Sequence, residues 1–385
     1  MNYIKNALIY DNNLAQFKKS SIGWANDKIN YVSKIHEDKQ ANEIISHKRL
    51  FVTPAFINPY SKVGIKEAYY DRVAGDDSNE TSSILTPHYD TKSGINFNDK
   101  TFKNIFTQGF LSTAVSPGDK SLISGNIIVM NSYGKIIDEM IINEKLGLKG
   151  VVGARLKSIE NPLFPKTRIS TVALLRQSFY DALNYYSIRY EKKQALPINL
   201  LYESLIPVLL KNEKIFFHAN RSDDIATVIR IKNEFNLKVV IIGGAEAYKI
   251  IDKVKENNIE CIITLNSMYL DERETMNMSI KSLRQLIRQD ICVGIASDYN
   301  LSDKSLIDSA KLLLRSGFYI EEVIKLITIN AAKILDIDKK YGKLEEGANA
   351  DFLVFEENMD FENLKYIIAS GKIYNNEGEL DYDLN

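Results

Sequence analysis

Val52-Thr-Pro-Ala-Phe-Ile-Asn-Pro-Tyr-Ser-Lys-Val-Gly64 is the stretch on which the fold turns. It reads as a short buried strand, apolar at Phe56 and Ile57, opened by Pro54 and closed before Gly64, with polar side chains emerging at its carboxyl end. In a (β/α)8 barrel the carboxyl end of the first strand faces the active site.

Outward from that strand the chain divides by rhythm. Residues 3–10, 20–24, 29–33 and 50–53 read as short strands separated by Asn, Asp and Lys-rich turns. The far end answers with strand-like runs at 341–355 and 365–374 and glycine turns. Between them strands and helices alternate. Strands are expected at 110–115, 127–130, 148–152, 214–218, 237–242, 259–263 and 291–296. Helices are expected at 136–142, 171–190, 223–235 with Ser222 as cap, 303–316 and 320–335. The expected architecture is α/β: a TIM barrel over 54–339 and a small β-sandwich built from both termini, 1–53 with 340–385.

Composition fits that plan. With 385 residues, 45% hydrophobic and 26% charged, the chain can bury a large core. A net charge of -1 argues against nucleic acid or an anionic membrane as partner. The N-terminus lacks the apolar core of a signal peptide and no apolar run approaches the roughly 20 residues of a spanning helix, so a cytoplasmic location is expected. Cys261 and Cys292 sit in apolar runs and read as buried free thiols.

The strand at 52–64 resembles the entry strand of the metal-dependent amidohydrolase superfamily, the group of imidazolonepropionase, dihydroorotase and many deaminases. There Pro-Gly-(apolar)-Ile-Asp leads into His-x-His. The Gly-x-(apolar)-Glu-x-Gly-x-x-Ala-Asp-(apolar) run at 342–352 is similar to the same family, as are Gly75-Asp-Asp-Ser-Asn-Glu-Thr81, Leu85-Thr-Pro-His88 and Phe217-His-Ala-Asn-Arg-Ser-Asp-Asp-Ile225. The resemblance implies a divalent-metal hydrolase on a barrel scaffold. Scaffold alone does not fix function.

Placed on that pattern, this chain departs at most of the ligands. Asn58 stands for the Asp, Tyr60 and Lys62 for the two histidines, and Gly243 for the histidine of the sixth strand. The bridging ligand, a carboxylated Lys or a Glu in relatives, would fall near Asn131 or Ala154. Only His218 and Asp298 remain as ligand positions. Lysine at neutral pH has no lone pair for a cation, and a hydrolytic zinc site needs about three protein ligands and an open water position. No metal or other cofactor is therefore expected. Lys62 is expected to pair with Asp298, with Tyr60, Tyr299 and His218 filling the metals' space and Arg168 and Arg221 holding the mouth loops or an anion.

Two function classes follow. One is a degenerate, non-hydrolytic homologue acting as a binding, scaffold or regulatory subunit, a homo-oligomer or a partner of an active paralogue. The other is a hydrolase of a non-peptide carbon–nitrogen bond in a cyclic or linear amide, with a one-metal (zinc or another divalent cation) or metal-free site in which Asp298 and Lys62 are catalytic.

Overall fold

The computed structural model describes residues 2–33, 42–44, 48–67, 75–157, 164–265, 274–296 and 305–381. In chain order the strands are β1 (Asn2–Asp11), β2 (Gln16–Ala25), β3 (Lys28–Ser33), β4 (Asn42–Ile44), β5 (Leu50–Pro54), β6 (Phe56–Ser61), β7 (Phe110–Val115), β8 (Ile123–Asn131), β9 (Ile141–Val151), β10 (Lys214–Ala219), β11 (Val239–Gly243), β12 (Glu260–Thr264), β13 (Val293–Ala296), β14 (Phe352–Glu356), β15 (Leu364–Ala369) and β16 (Lys372–Asn375). The helices are α1 (Lys100–Thr107), α2 (Ile137–Met140), α3 (Arg168–Tyr186), α4 (Leu200–Leu209), α5 (Ser222–Phe235), α6 (Ile251–Glu256), α7 (Ile280–Arg288), α8 (Ser305–Arg315), α9 (Ile320–Leu326) and α10 (Ile329–Ile334).

Both chain ends enter one sheet, ordered β16-β15-β14-β5-β1-β2-β3 with β4 beside β1. β5 joins the halves, pairing antiparallel to β14 with Val52 opposite Val354. The sheet wraps round its own apolar core of Ile4, Ile22, Trp24, Val52, Phe352 and Ile368. Trp24 packs edge-on to Phe352 at 5.0 Å and donates from its indole to the Gly371 carbonyl at 2.9 Å. That contact binds the first strands of the chain to the last.

β5 runs into β6 across Ala55 alone, so the stretch 52–64 belongs to both layers. The second sheet is the barrel, ordered β6-β7-β8-β9-β10-β11-β12-β13. Alternation along β10 shows how it is filled. Ile215 and Phe217 face outward to Leu175, Phe179, Ile225 and Val228 of α3 and α5. Phe216 faces inward with Ile57, Val129, Val240 and Ile262. Each such buried side chain contributes about 1.5–3 kcal/mol. β13 and β6 pack together at the seam. The seam is bridged by the α9–α10 junction: Ile57 N–H donates to the Ile327 carbonyl at 2.7 Å, and the Asn330 amide donates to the Val293 carbonyl at 2.8 Å.

Several expectations are corrected. β8 runs antiparallel to both neighbours, so the βα alternation fails between β7 and β9. The helix expected at 136–142 is the single turn α2, because Ile141 and the residues after it pair with β8. The helix expected at 320–335 breaks between α9 and α10, where Thr328 leaves helical geometry and the Ile327 carbonyl is given to β6. Residues 342–351 turn rather than extend, with Gly342 at φ +73° and Gly347 at +83°. Ser222 does not cap α5; it is the helix's first residue, and its N–H and hydroxyl both donate to Glu246. Cys261 is buried but Cys292 only half-buried, and both are free.

Asp351 ties the two layers together. Buried at the end of the glycine-rich turn, its Oδ1 accepts from Ser370 N–H at 2.7 Å and from the Tyr133 hydroxyl at 3.2 Å. Burial pushes the carboxyl above its usual range. No helix among the described residues is long and apolar enough to cross a membrane.

Candidate functional site at the barrel mouth

Strand register sets the geometry. His218 is two residues beyond the inward Phe216, so it faces inward one layer higher, at the C-terminal rim. On the adjacent β9, Lys149 lies opposite Phe216 and is fully buried. The β7–β8 connection brings Asp119 over them. Its carboxylate is the hub: Lys149 donates to Oδ1, Arg155 donates to Oδ2 at 2.6 Å, and His218 Nδ1 lies 3.3 Å from Oδ2. The Tyr60 hydroxyl is 3.5 Å from Oδ1, and the Lys149 ammonium stands 5.2 Å from the Tyr60 ring centroid. Lys62 is buried at the same mouth.

Burial alone would push the Asp119 carboxyl up. The His218 ring and the cations of Lys149 and Lys62 outweigh it, and the group is held well below the usual carboxylate range. Burial pushes the His218 pKa down, against the pull of Asp119. An imidazole kept neutral in this way donates from Nδ1 to Asp119 and turns the lone pair of Nε2 toward Gly243.

Of the residues expected at the site, Tyr60, Lys62 and His218 come together. Asp298 and Tyr299 lie outside the described residues, as do His36 and His47. Arg168 and Arg221 lie elsewhere. Arg168 donates to Asp224 and to Glu274, each at 2.8 Å. Arg221 makes a bidentate pair with its neighbour Asp223, both well exposed. His88 is a surface residue edge-on to Tyr89. Asn58 turns its Oδ1 to the Tyr60 N–H at 3.3 Å.

The middle-strand positions need correction. Because β8 is reversed, Asn131 ends at the opposite rim, paired with Ser112 at the base of β7. Ala154 contributes only its N–H, which donates to Glu274 at 2.7 Å. The inward side chain of β9 is Lys149. The signal for it was its place among the alternating residues of 147–151, but Asp119, in a connection of no regular period, gave none.

The described residues at the mouth do not by themselves form a set for a divalent cation, and Asp298 lies outside them. Among the described residues no group of three or more His, Cys, Asp or Glu converges as a metal-binding set. His218 and Asp119 face each other, and two cations occupy the carboxylate's oxygens. Carboxylating Lys149 would set a second anion against Asp119. At Gly243, φ is +92°, and a Cβ would run into the Asn220 amide oxygen and come within 3.0 Å of His218 Nε2. Asn220 therefore fills the space a sixth-strand histidine would need.

A barrel with its polar groups at the C-terminal strand ends, joined to a sandwich made from both termini, defines a TIM-barrel-like α/β protein with a composite β-sandwich domain. Residues 211–374 match the amidohydrolase family. An amidohydrolase from Thermotoga maritima MSB8 superposes with a TM-score of 0.87 at 26% identity, covering 96% of this chain and 98% of that one. The imidazolonepropionase of Kosmotoga olearia is 36% identical over 75 residues, 18% of each chain. The 5'-deoxyadenosine deaminase of Methanobrevibacter smithii is 28% identical over 120 residues, 27% of each. These matches thus span about a fifth to a quarter of the two curated relatives. The chain belongs to the amidohydrolase superfamily.

Proposed function

We propose that this chain is an amidohydrolase-superfamily member that no longer assembles the metal centre of its relatives and serves as a binding, scaffold or regulatory subunit. The observation that carries the reading is the double grip of Lys149 and Arg155 on Asp119 beside His218. A metal ion brought to this carboxylate would add a third cation to the two already on it, and freeing the carboxylate would strand two positive charges. The partner in this reading is a small molecule or protein at the mouth, a second copy of the chain or an active paralogue. Elemental analysis of protein expressed with and without added zinc or manganese is the test. Metal well below one equivalent in both preparations is expected. Near-stoichiometric metal that disappears in His218→Ala would overturn the proposal.

A second reading is favoured by the Asp119–His218 pair. A carboxylate that orients an imidazole from Nδ1 leaves Nε2 able to take a proton. In that reading the protein hydrolyses a carbon–nitrogen bond of a cyclic or linear amide without metal, as a relative of enzymes named imidazolonepropionase and deaminase. Turnover of a cyclic-amide panel by chelator-treated protein, lost in His218→Gln, would favour it over the first.

A further inference from the structure

α3 is the longest helix among the described residues, and one line of it faces away from the barrel. Its buried side is Thr171, Leu175, Ser178, Phe179, Ala182 and Tyr185. Opposite them run Ser170, Ala173, Gln177, Tyr180, Asn184 and Ser187, spaced 3, 4, 3, 4 and 3 residues apart. That alternation keeps a single seam in line along a helix. Ala173, Gln177, Tyr180 and Asn184 are exposed. None of the six is charged, in a chain that is 26% charged. Beside the seam, Ile169 is 82% exposed and Leu174 39%. A helix that faces only water carries charge on its outer line, whereas absence of charge beside exposed apolar side chains is the composition of an interface centre. The flanking charges are already satisfied within the chain: Arg176 donates to Glu234 at 2.6 Å, and Gln177 donates to Asp181 at 2.7 Å. A partner that recognised this face by charge would find little to hold.

We infer that α3 is the contact surface of a homodimer, packed antiparallel on α3 of a second copy about a two-fold axis that passes between Gln177 and Tyr180. The spacing carries the choice of occupant. Read backwards the series is unchanged, so the seam fits its own reversed copy, as a two-fold interface requires. In that register Ser170 meets Ser187 of the second copy, Ala173 meets Asn184, and Gln177 meets Tyr180. Each larger side chain thus lies against a smaller one, and the small ends let the helices approach closely. The area sets the strength. The 19 residues of α3 make a rod about 28 Å long and roughly 10–12 Å across, which supplies only part of the roughly 800 Å² per partner of a standard interface. The dimer is therefore concentration-dependent rather than permanent. The seam faces away from the barrel, so it stands or falls separately from the reading of the mouth, and mass rather than metal content reads it.

Sedimentation velocity on the full chain between about 1 and 100 μM tests it. The mean mass is expected to rise toward two chains over that range. Ala173→Glu sets a charge into the seam at an exposed helix position, and is expected to weaken dimerisation by roughly tenfold or more with helix content unchanged by circular dichroism. Mixing Gln177→Cys with Tyr180→Cys under mild oxidation reads the register. Interchain disulfide is expected to form faster there than in a mixture of Gln177→Cys with Leu210→Cys, an exposed position outside the seam, with wild type giving the background from Cys261 and Cys292. Should Tyr180→Cys, which gives up a ring contact with Phe235, fail to fold, Ala173→Glu decides alone. A monomer at about 100 μM, undiminished dimer in folded Ala173→Glu, or equal cross-linking in the two mixtures would each overturn the inference.

Discussion

Lys149 of β9 is bonded to Asp119 of the β7–β8 connection out of solvent, beside His218 at the C-terminal mouth of the barrel. Arg155 grips the other oxygen of the same carboxylate, so two cations share one anion. Removing the carboxylate leaves two cations in low dielectric. Asp119→Asn is therefore expected to cost roughly 3–5 kcal/mol. Urea denaturation measures it, and a midpoint equal to wild type would show that the pair is dispensable. The double variant Asp119→Asn with Lys149→Met is expected to lose less than the sum of the single changes.

Restoring a histidine on β11 is expected to fail as a repair. Gly243→His forces a side chain onto φ +92° and into the Asn220 amide. A loss of roughly 1–3 kcal/mol is expected from the backbone alone. Metal content should not rise unless Asn220 is also shortened. Stoichiometric zinc in the single variant would contradict the steric account.

The mouth also sets an acid limit. The folded His218 pKa lies below its ordinary 6.5, so the unfolded chain takes up this proton first. The stability carried by the neutral ring is complete above 6.5 and is lost as pH falls below it. Asp119, held well below 3.8, adds a second loss only under 3.8. Unfolding free energy followed downward through 6.5 should decline in wild type and decline less in His218→Gln. Parallel curves would remove His218 from the account.

At the junction of the layers, Tyr133→Phe deletes the hydroxyl that donates to Asp351 at 3.2 Å. A hydrogen bond to a charged group is worth about 1.5–3 kcal/mol. A drop in thermal midpoint is expected with the barrel's far-ultraviolet signature intact. An unchanged midpoint would assign Asp351 to Ser370 alone.

The scaffold was legible where periodicity carried it. Residues 214–219 alternate buried faces, and the composite sheet followed from short strands at both ends of the chain. Tyr60, Lys62 and His218 were legible because they occupy motif positions. Asp119 and Arg155 were not, since both lie in irregular connections and their meeting with Lys149 depends on a strand reversal. That reversal itself left no mark, because a buried strand shows the same apolar run in either direction. Ser222 misled for a related reason: a serine before a helix signals a cap only when no distant carboxylate, here Glu246, takes its place.

The reversed strand bears on the order of assembly. β7, β8 and β9 form a meander whose partners are close in sequence, and its two connections need no crossover helix. Asp119 and Lys149 are 30 residues apart within it, whereas His218 arrives from β10 after two helices have intervened. Local contacts close with the smaller loop entropy. The charged pair should therefore form with the meander, before the barrel rounds up and the imidazole docks. Pulse-labelled hydrogen exchange would show amides of 123–131 protected ahead of those of 239–243. Simultaneous protection would mean the barrel folds as one unit.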